Sequence, residues 1–462
     1  MSDSPPVTDG LDHTARPAGT DGDAAKARTA VRAGVLAYFV DQFDIYLPIV
    51  VLAPATAYFQ SASLDAGTSA ILTALVFAST LIARPVGAAI FGHFADTTSR
   101  KRTTLIAVAG FGVTTLLIAC LPGYSTIGLW SVGLLIALRF VDGIFLGGEY
   151  TTAVPLAMEW SPKRRRGLNG GLITCTSPGA YAVIATVTLL LLEVIPSAGP
   201  DSAYSQWGWR IPFVVGALLA VVLYRQYSRE VEEPPTERTA EGARSPLAEL
   251  VTGPHRRALA QVFVLMSGVW LANNMTSAVM PGLLKSDLGF SSTQVSIAMA
   301  VTMAITAASF PLFGVLSQRI GRRRFYLGFA VAMIVIGGGA YAALVTTRPT
   351  FGLALVLTTL IGIFTLGTFG PIAAYLTERF PSTIRASGYG VGYSLALIIP
   401  AFYAFYLSGL SAVLPGALGA VALLVVAGVL VGVGGLLGPE TRDVDMRDAE
   451  HRTATPAAEV LR

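Results

Sequence analysis

The sequence predicts an all-α integral membrane protein with twelve transmembrane helices in two pseudo-symmetric six-helix bundles. Composition is the first observation behind this prediction: 53% of the 462 residues are hydrophobic, 13% are charged, and the mean hydropathy is +0.62. Soluble proteins carry about 25% charged residues, so this chain lacks the charge to cover a water-exposed surface. The composition therefore excludes a nucleic-acid-binding module, despite a pI near 9.0, and argues against a soluble enzyme.

Twelve segments are apolar over the length that a membrane-spanning helix requires, which is about 20 residues. They cover residues 31–58, 69–92, 103–121, 127–157, 168–194, 208–225, 258–281, 293–316, 325–345, 351–377, 386–409 and 412–437. A polar segment at 226–257, rich in Glu, Arg and Pro, separates the first six from the last six. We therefore expect five regions: a disordered cytoplasmic tail at 1–28, a six-helix bundle at 29–226, a central cytoplasmic loop at 227–255, a second six-helix bundle at 256–438 and a cytoplasmic tail at 439–462.

The distribution of basic residues predicts which side of the membrane each loop occupies. Cytoplasmic loops carry an excess of Lys and Arg. If both termini are cytoplasmic, nearly all 32 basic residues fall in the tails or in cytoplasmic loops, and the opposite side holds Arg210, Lys285 and Arg348. We therefore expect a multi-pass protein of a bacterial plasma membrane with both termini in the cytoplasm. The cysteines, Cys120 and Cys175, lie in apolar segments with neither disulfide-framework nor metal-site spacing.

Two short motifs recur in the two halves of the chain. GHFADTTSRKR at 92–102 follows the second segment, and GVLSQRIGRRR at 314–324 follows the eighth. EWSPKRRR at 159–166 follows the fourth segment, and ERFPSTIR at 378–385 follows the tenth, at nearly the same separation. A parallel duplication of this kind is typical of transporters in which two bundles move around a site near the membrane midplane. A channel or a membrane enzyme has no need of it.

On these motifs the chain resembles the major facilitator superfamily over nearly its whole length. The 92–102 loop is similar to the signature of that superfamily between helices 2 and 3, with Ser99 in place of a glycine, and the second copy has Gln318 in place of the acid. PET at 439–441, just past helix 12, resembles a motif shared with sugar porters. Finer motifs resemble the metabolite:H+ symporters: RPVG at 84–87, RFVDG at 139–143, GGEY at 147–150 and WRIPF at 209–213.

The resemblance implies the major facilitator fold, in which helices 1, 4, 7 and 10 line a central cavity. It also implies transport driven by a proton gradient, with no cofactor. The chain departs from the symporter pattern at Asp142, where that family usually has an uncharged residue, and in helix 1. There it has DQFD at 41–44, where the family commonly has Glu-Trp-Tyr/Phe-Asp.

Charged residues inside the predicted spans are the first functional candidates, because each costs about 2.5–3.5 kcal/mol in a bilayer on insertion scales. At about 1.5 Å per residue, Asp44 lies roughly 20 Å and Arg139 roughly 18 Å from the ends of their spans. Both positions are near the midplane, so the two side chains can face each other across the cavity that the resemblance implies. All six such residues fall in the first half: Asp41, Asp44, Arg84, Arg139, Asp142 and Glu149.

Proton coupling requires an acid whose proton affinity changes during transport. An acid that moves between a paired and an unpaired state has this property. Asp44 is the first candidate, and Asp41, one helical turn away, is the second. The alternative is a fixed pair of Asp44 with Arg139 that only holds helices 1 and 4 together. Glu149 is a candidate either for a proton relay or for a contact between helices.

A carboxylate substrate would find its main electrostatic partner in Arg139, because a guanidinium binds a carboxylate through two parallel hydrogen bonds. Asp142 is a further candidate for substrate binding, because it lies three residues from Arg139 and therefore on the same helix face. In the second half, the candidates that can donate hydrogen bonds to a substrate are neutral. They are Trp270, Asn273, Asn274 and Tyr393, for which hydrogen bonding between helices is an equally good interpretation.

The duplicated loops predict a gate on the cytoplasmic side. Asp96 with Arg100 and Arg102 forms the first copy, and Gln318 with Arg322 forms a weaker second copy. The resemblance implies that such loops hold the two bundles together. A separate prediction concerns Arg84, near the inner end of helix 2. We expect it to be a gate or packing residue bonded to Asp96 or to a carbonyl group.

Together these features predict a monomeric, proton-coupled importer of a small organic acid or zwitterionic metabolite that works by alternating access in the lipid bilayer. The main alternative is a proton-coupled efflux antiporter of drugs or metabolites. Such exporters usually have a Gly-Pro-rich motif in helix 5, where this chain has only SPG at 177–179. A proton-independent sugar uniporter would not need paired acids in helix 1. No nucleotide-binding loop is present, so an ATP-driven pump is excluded.

Overall fold

The computed structural model describes residues 20–61, 63–196, 199, 201–233, 245–414 and 417–446. Within these residues, twelve helices are long and apolar enough to cross a membrane, and their number and order agree with the predicted spans. They are numbered here α1 (Ala25–Val50), α2 (Leu75–Thr97), α3 (Arg100–Ala119), α4 (Trp130–Trp160), α5 (Lys163–Val194), α6 (Tyr204–Glu230), α7 (Arg256–Asp287), α8 (Thr293–Ile320), α9 (Arg322–Thr347), α10 (Phe351–Arg379), α11 (Ser382–Leu410) and α12 (Leu418–Leu437).

Some boundaries differ from the prediction. The helix that contains α1 begins at Thr20, so residues 20–28 are helical rather than disordered. Alanine and lysine, which are good helix formers, occupy much of this segment. The same helix ends at Val50 instead of continuing to residue 58, because Pro54 lacks a backbone N–H to extend it. A short helix, Thr56–Phe59, follows.

The central loop is also shorter than predicted. Span α6 continues to Glu230, and Pro246–Val251 forms a short helix before α7. Residues 1–19, 234–244 and 447–462, which belong to the predicted tails and central loop, lie outside the described residues. Span α5 begins at Lys163, five residues before its predicted start at 168.

Helices α1–α6 form one bundle and α7–α12 form the other. In the first bundle α4 packs on α1, α2 and α3, and in the second α12 packs on α7 and α9. The bundles meet where α2 packs on α11 and α5 packs on α8. Because α8 is the duplicate of α2 and α11 is the duplicate of α5, these two seams are equivalent under the internal two-fold relation. The prediction of two pseudo-symmetric six-helix bundles is confirmed.

The seams are tightest at the end of the molecule that carries the α2–α3, α4–α5, α8–α9 and α10–α11 loops, called here the basic face. On the α5–α8 seam, a Cβ atom at Gly167 would overlap the carbonyl oxygen of Gly314, and the converse also holds. Small residues at such positions allow two helix backbones to approach closely. The two bundles are therefore in direct contact at the basic face.

Candidate functional site

A cavity between the two bundles divides into two adjoining chambers. The outer chamber has a volume of about 430 Å³ and the inner chamber about 30 Å³, and Ile49, Phe77 and Ala278 border both. The outer chamber is lined by the end of α1, the beginnings of α2 and α4, and the later parts of α7 and α11, so it lies away from the basic face. Its volume is within the range of about 300–1,000 Å³ that small-molecule sites occupy.

The inner chamber contains most of the polar groups. Trp270, Asn273 and Asn274, which the sequence predicted as substrate ligands, all line it, together with Gln42 and Arg84. Trp270 Nε1 donates a hydrogen bond to the Tyr393 carbonyl oxygen at 3.0 Å, and Asn274 Nδ2 donates to the Pro400 carbonyl oxygen at 2.8 Å. These side chains thus border the cavity and also bond α7 to α11.

The α7 backbone is irregular where it borders the inner chamber. A π-helical turn over Asn274–Val279 interrupts the α-helical hydrogen bonding there. Such turns are frequent at functional sites because they turn side chains away from the regular helical positions.

Arg84 is the charged residue of the inner chamber, and its partner is Asp41. The distance between Arg84 Nη2 and Asp41 Oδ2 is 3.2 Å, and both side chains are almost fully buried. Gln42 Nε2 donates to the same oxygen at 2.8 Å, whereas Asp41 Oδ1 has no hydrogen-bond partner among the described residues. The Arg84 guanidinium also lies 4.5 Å from the centre of the Tyr150 ring, a favourable cation–π distance.

The predicted partners of Arg84 were wrong. Asp96 lies twelve residues further along α2, which is roughly 18 Å at about 1.5 Å per residue. That separation is too large for a hydrogen bond on one straight helix. Arg84 points instead toward α1, where Asp41 occupies the facing position.

Glu149 is a further buried acid near this pair. Its side chain is fully buried, and neither carboxylate oxygen has a hydrogen-bond partner in the described part of the chain. Asp41 and Arg84 are the charged groups that act on it electrostatically. A buried carboxylate without a partner is very costly as an anion, so Glu149 is a group of the kind that accepts protons.

Tyrosine side chains from both bundles form a group, called here the tyrosine cluster, that contacts Arg84 and Trp270 of the inner chamber. Tyr38 Oη and Tyr393 Oη are 2.5 Å apart and join α1 to α11. Tyr150 hydrogen-bonds to Ser394, and the Tyr389 and Tyr393 rings stack with their centres 5.9 Å apart. Tyr393 was predicted from the sequence as a substrate ligand, and it lies in the tyrosine cluster rather than in the lining of the inner chamber. Tyr38 and Tyr150 were not predicted, although they lie close along the chain to Asp41 and Glu149.

Asp44, Arg139 and Asp142 form a second charged cluster, called here the α1–α4 cluster. Arg139 Nη1 is 2.7 Å from Asp44 Oδ2 and 2.9 Å from Asp142 Oδ2. Thr115 donates to Asp44 at 2.7 Å, and Thr114 donates to Asp142 at 2.9 Å. All three charged side chains are almost fully buried.

The α1–α4 cluster lies inside the first bundle. Its charged side chains and the side chains that bond to them come from α1, α3 and α4, and none of them borders the two chambers as the structure describes them. Asp44 and Arg139 are in direct contact rather than facing each other across the cavity. This geometry matches the alternative interpretation of a pair that holds α1 against α4.

At the basic face, Asp96 joins the two bundles. Its carboxylate accepts hydrogen bonds from the backbone N–H groups of Ala386 at 3.0 Å and Ser387 at 2.8 Å. Both residues lie in the first turn of the α-helical part of α11, which begins at Arg385. A negative charge is favourable at a helix N-terminus because the peptide dipoles align there. Arg100, predicted to act with Asp96, lies 3.5 Å from it. Arg102 differs, since its side chain is exposed at the start of α3.

The second copy repeats this contact with a neutral group. Gln318 Oε1, at the end of α8, accepts a hydrogen bond from the backbone N–H of Gly167 in α5 at 3.1 Å. Arg322 Nη2 donates to the same oxygen at 2.7 Å. Both predicted gating loops therefore lie on the seams between the bundles, one with a carboxylate as the acceptor and one with an amide.

Glu159, Arg385 and Glu378 form ion pairs beside these loops but were absent from the predicted site. Glu159 pairs with Arg100 of its own bundle and, at 2.5 Å, with Arg385 of the other bundle. Its duplicate Glu378 pairs with Arg322 at 3.1 Å. The repeated E-x-x-P-x-x-x-R motif was the signal that identifies these residues, because the Glu and the Arg are its constant positions.

The segment at 439–446, called here the tail segment, crosses the basic face. Its Val444 carbonyl accepts a hydrogen bond from Arg166 of α5 at 2.6 Å, and its Met446 carbonyl accepts one from Arg385 of α11 at 2.9 Å. Glu440 accepts bonds from the backbone N–H groups of Arg322 and Arg323 at 2.9 and 3.3 Å, at the start of α9. The tail segment therefore contacts both bundles.

Comparison with known proteins agrees with this geometry. The Major Facilitator Superfamily family model matches residues 34–272 and 262–460. The chain belongs to the major facilitator superfamily. The inner membrane metabolite transport protein YhjE of Escherichia coli K12 is 32% identical, over 81% of this chain and 86% of that protein. The alpha-ketoglutarate permease of the same organism is 30% identical, over 82% of this chain and 85% of the permease.

A solved structure has the same fold at low sequence identity. The proton:xylose symporter XylE, bound to 6-bromo-6-deoxy-D-glucose, superimposes with a TM-score of 0.71 and 16% identity, covering 90% of this chain and 95% of that chain. Membership of the superfamily confirms the predicted fold. The protein is a multi-span membrane transporter of small molecules and not an enzyme.

Proposed function

We propose that this transporter is a proton-coupled symporter that imports a small organic acid or zwitterionic metabolite. The observation that carries the proposal is the inner chamber, where the Arg84 guanidinium lies among neutral hydrogen-bonding groups and next to buried carboxylates. Arginine attracts a substrate carboxylate, and a buried acid supplies a site for the proton. The name of the alpha-ketoglutarate permease supports a carboxylate as the transported group.

Import by alternating access requires a state that is open to the outside, and the orientation that we propose makes this structure such a state. Loops rich in Arg and Lys face the cytoplasm, which makes the basic face the cytoplasmic side. The outer chamber then lies toward the outside of the cell, while the Asp96, Gln318 and Glu159 contacts close the cytoplasmic side. In this outward-facing arrangement, substrate and proton enter from outside, as import requires.

We assign the proton to Asp41 in preference to Asp44. Asp41 is bonded to two residues of the inner chamber and has one oxygen without a hydrogen-bond partner in the described residues. Asp44 accepts hydrogen bonds from Arg139 and Thr115 inside the first bundle. Glu149 lies further along α4 toward the basic face, and we assign it a relay role between Asp41 and the cytoplasm.

Proteoliposomes containing the purified protein test this proposal. Radiolabelled organic acids and zwitterions are supplied outside, with the external solution more acidic than the lumen. The wild type is expected to accumulate its substrate, and Asp41→Asn is expected to lose accumulation but keep exchange, because exchange requires no release of the proton. Glu193→Gln, which removes an exposed carboxylate of α5, is the matched control and should behave as the wild type.

Three outcomes contradict the proposal. If external acid drives substrate out of preloaded vesicles, the protein is an efflux antiporter. If a pH gradient has no effect on the uptake of any compound tested, proton coupling is wrong. If Asp44→Asn loses accumulation while Asp41→Asn keeps it, the proton belongs to the α1–α4 cluster.

A further inference from the structure

We propose that Arg84 binds the carboxylate of the substrate in place of Asp41, and that the substrate is a monocarboxylate whose apolar body occupies the outer chamber. This inference rests on the proposed function and narrows it. It differs from the sequence prediction, which placed the substrate carboxylate on Arg139.

The contacts of Arg84 show that its binding capacity is only partly used. Its Nη2 contacts a single oxygen of Asp41 at 3.2 Å, and its Nε has no hydrogen-bond partner among the described residues. A guanidinium can hold a carboxylate through two short parallel hydrogen bonds, so Asp41 makes a weaker contact than this group allows. Arg139 Nε also has no partner there, but Arg139 differs in that its Nη1 already contacts two carboxylates within 3 Å.

Charge balance links the carboxylate of the substrate to a proton. While Asp41 is ionised, it neutralises Arg84, and the inner chamber holds little attraction for an anion. When Asp41 takes up a proton, it releases a buried guanidinium, which is strongly destabilised without an anionic partner. A substrate carboxylate that replaces Asp41 restores the ion pair. One proton on Asp41 and one carboxylate on Arg84 are therefore taken up together, and the net charge of the site is unchanged.

The inference requires that the proton binds to Asp41 and not to the other titratable groups nearby. Charged and titratable side chains on four helices act electrostatically on or near Asp41: Tyr38, Asp44 and Tyr46 of α1, Arg84 of α2, Glu149 and Tyr150 of α4, and Tyr389 and Tyr393 of α11. Asp44 is paired with Arg139, and Glu149 has no direct contact with Arg84 in the described contacts. Asp41 is thus the acid whose protonation directly frees Arg84.

The shape of the cavity determines where the rest of the substrate lies. The inner chamber adjoins the outer chamber at Ile49, Phe77 and Ala278, and most of the open volume lies in the outer chamber. A molecule with its carboxylate on Arg84 therefore extends toward the outer chamber. The wall of that chamber is mainly apolar, and the residues that line it include Ile49, Leu52, Phe59, Val76, Phe77 and Leu135.

The outer chamber offers no partner for a second charge. None of the described residues that line it is charged, and the amide of Gln60 is already bonded to Thr73 at 3.1 Å and to Ser69. A second carboxylate in this chamber would lose its hydration without gaining a cation. The chamber therefore selects against dicarboxylates and favours an aliphatic or aromatic body.

Binding measurements on the purified full-length protein test the substrate class. The probes are propionate, hexanoate, benzoate and phenylacetate, compared with succinate and adipate. Affinity is expected to rise with the size of the apolar body. The dicarboxylates are expected to bind at least about 100-fold more weakly than phenylacetate. Phe77→Ala should weaken phenylacetate binding far more than propionate binding. Phe405→Ala, which removes a ring that is 73% exposed on the outer surface of α11, is the control and should change neither.

A second set of variants tests the exchange at Arg84 with phenylacetate as the probe. In the wild type, binding should weaken as the pH rises, because ionised Asp41 competes for Arg84. Asp41→Asn should remove this pH dependence, and Arg84→Lys should bind at least about tenfold more weakly because it loses the paired hydrogen bonds. Arg84→Gln with Asp41→Asn removes both charges, so it should stay folded and not bind.

Specific outcomes overturn the inference. Tighter binding of succinate than of phenylacetate, together with proton-driven succinate uptake, would disprove the substrate class and leave the proposed function standing. Near-native phenylacetate binding by the variant with both Arg84→Gln and Asp41→Asn would show that Arg84 does not bind the substrate. If Glu149→Gln abolishes the pH dependence and Asp41→Asn does not, the proton belongs to Glu149. Absence of both organic-acid binding and proton-driven uptake would overturn the proposed function as well.

Discussion

The two bundles share one frame but differ in the charge of their interiors. In the first bundle, Arg84 pairs with Asp41, and Arg139 pairs with Asp44 and Asp142, deep within the spans. In the second bundle, the described interior contacts at the same depth are neutral, as in the bond between Thr276 and Thr365 at 2.8 Å. Its buried charges, among them Arg322, Glu378 and Arg385, lie at the basic face.

The helix arrangement is therefore duplicated, whereas the buried charges near the cavity are not. A buried ion pair adds little net stability compared with well-packed apolar residues, so stability alone does not explain two arginine centres in one bundle. Under the proposed function, opening and closing involve both seams, so contacts at the basic face are expected in both copies. One proton site and one anion site are enough for that function, so a charged centre at the cavity is needed in one copy only. The second bundle lines the inner chamber with neutral residues, among them Trp270 and Asn274.

The largest expected effect comes from breaking the α1–α4 cluster. Arg139→Gln leaves two buried carboxylates without a cation, which should cost about 3–5 kcal/mol of stability and greatly lower the yield of folded protein. Thr365→Val is the corresponding change in the second bundle, and loss of one neutral hydrogen bond should cost about 1 kcal/mol. Thermal unfolding of the detergent-purified proteins measures both effects.

A neutral triple variant sharpens this test. Arg139→Gln with Asp44→Asn and Asp142→Asn should recover most of the lost stability, because no unpaired charge remains. If the triple variant folds and binds substrate with near-native affinity, the α1–α4 cluster is structural. If it folds but no longer binds, Arg139 is a substrate ligand, as the sequence predicted. Equal losses from Arg139→Gln and Thr365→Val would contradict the contrast between the bundles.

The gate should show a smaller difference of the same kind. A buried cysteine at Ser387, in a protein whose own cysteines are replaced by serine, should react faster with a permeant maleimide when the basic face opens. Asp96→Ala removes a carboxylate that accepts two N–H groups, so it should raise the labelling rate about tenfold. Gln318→Ala removes a neutral acceptor and should raise the rate about threefold.

The exposed Arg102 provides the control for the gate. Arg102→Ala should leave the labelling rate unchanged, because its side chain lies outside the seam. If Arg102→Ala raises the labelling rate as much as Asp96→Ala does, Arg102 is part of the gate, as the sequence predicted. Identical rates for Asp96→Ala and Gln318→Ala would show that the charge of the first copy has no role in closing the basic face.

The smallest expected effects are equal in the two bundles. Glu233 accepts a hydrogen bond from the Lys101 backbone N–H at 2.7 Å at the start of α3, and Glu440 plays the same part at the start of α9. Glu233→Gln and Glu440→Gln should each cost about 0.5–1 kcal/mol, because each weakens one helix cap. Equal decreases in the unfolding temperature would show that the two bundles differ in their interiors and not in these helix caps. A much larger loss for Glu440→Gln would mean that the tail segment does more than cap α9.

Much of the predicted gate could be located from the sequence because its motif occurs in both halves of the chain. The recurrence of GHFADTTSRKR and GVLSQRIGRRR located Asp96, Arg100, Gln318 and Arg322 without any structure. The contribution of Glu159 was missed even though its motif also recurs, because the prediction treated that motif only as evidence of duplication. The tail contacts of Arg166 and Arg385 were not predictable, since they end on backbone carbonyl groups that carry no sequence signal.

The sequence by itself determined the number of spans, their division into six and six, and which residues carry charge inside the membrane. These properties depend on local composition, because each span must satisfy its own backbone hydrogen bonds in lipid. Only the tertiary structure decided the partner of each charge. Arg84 meets Asp41 instead of Asp96, and Arg139 touches Asp44 directly. Contacts between helices depend on how the helices rotate and pack, and residues far apart in the chain determine that packing together.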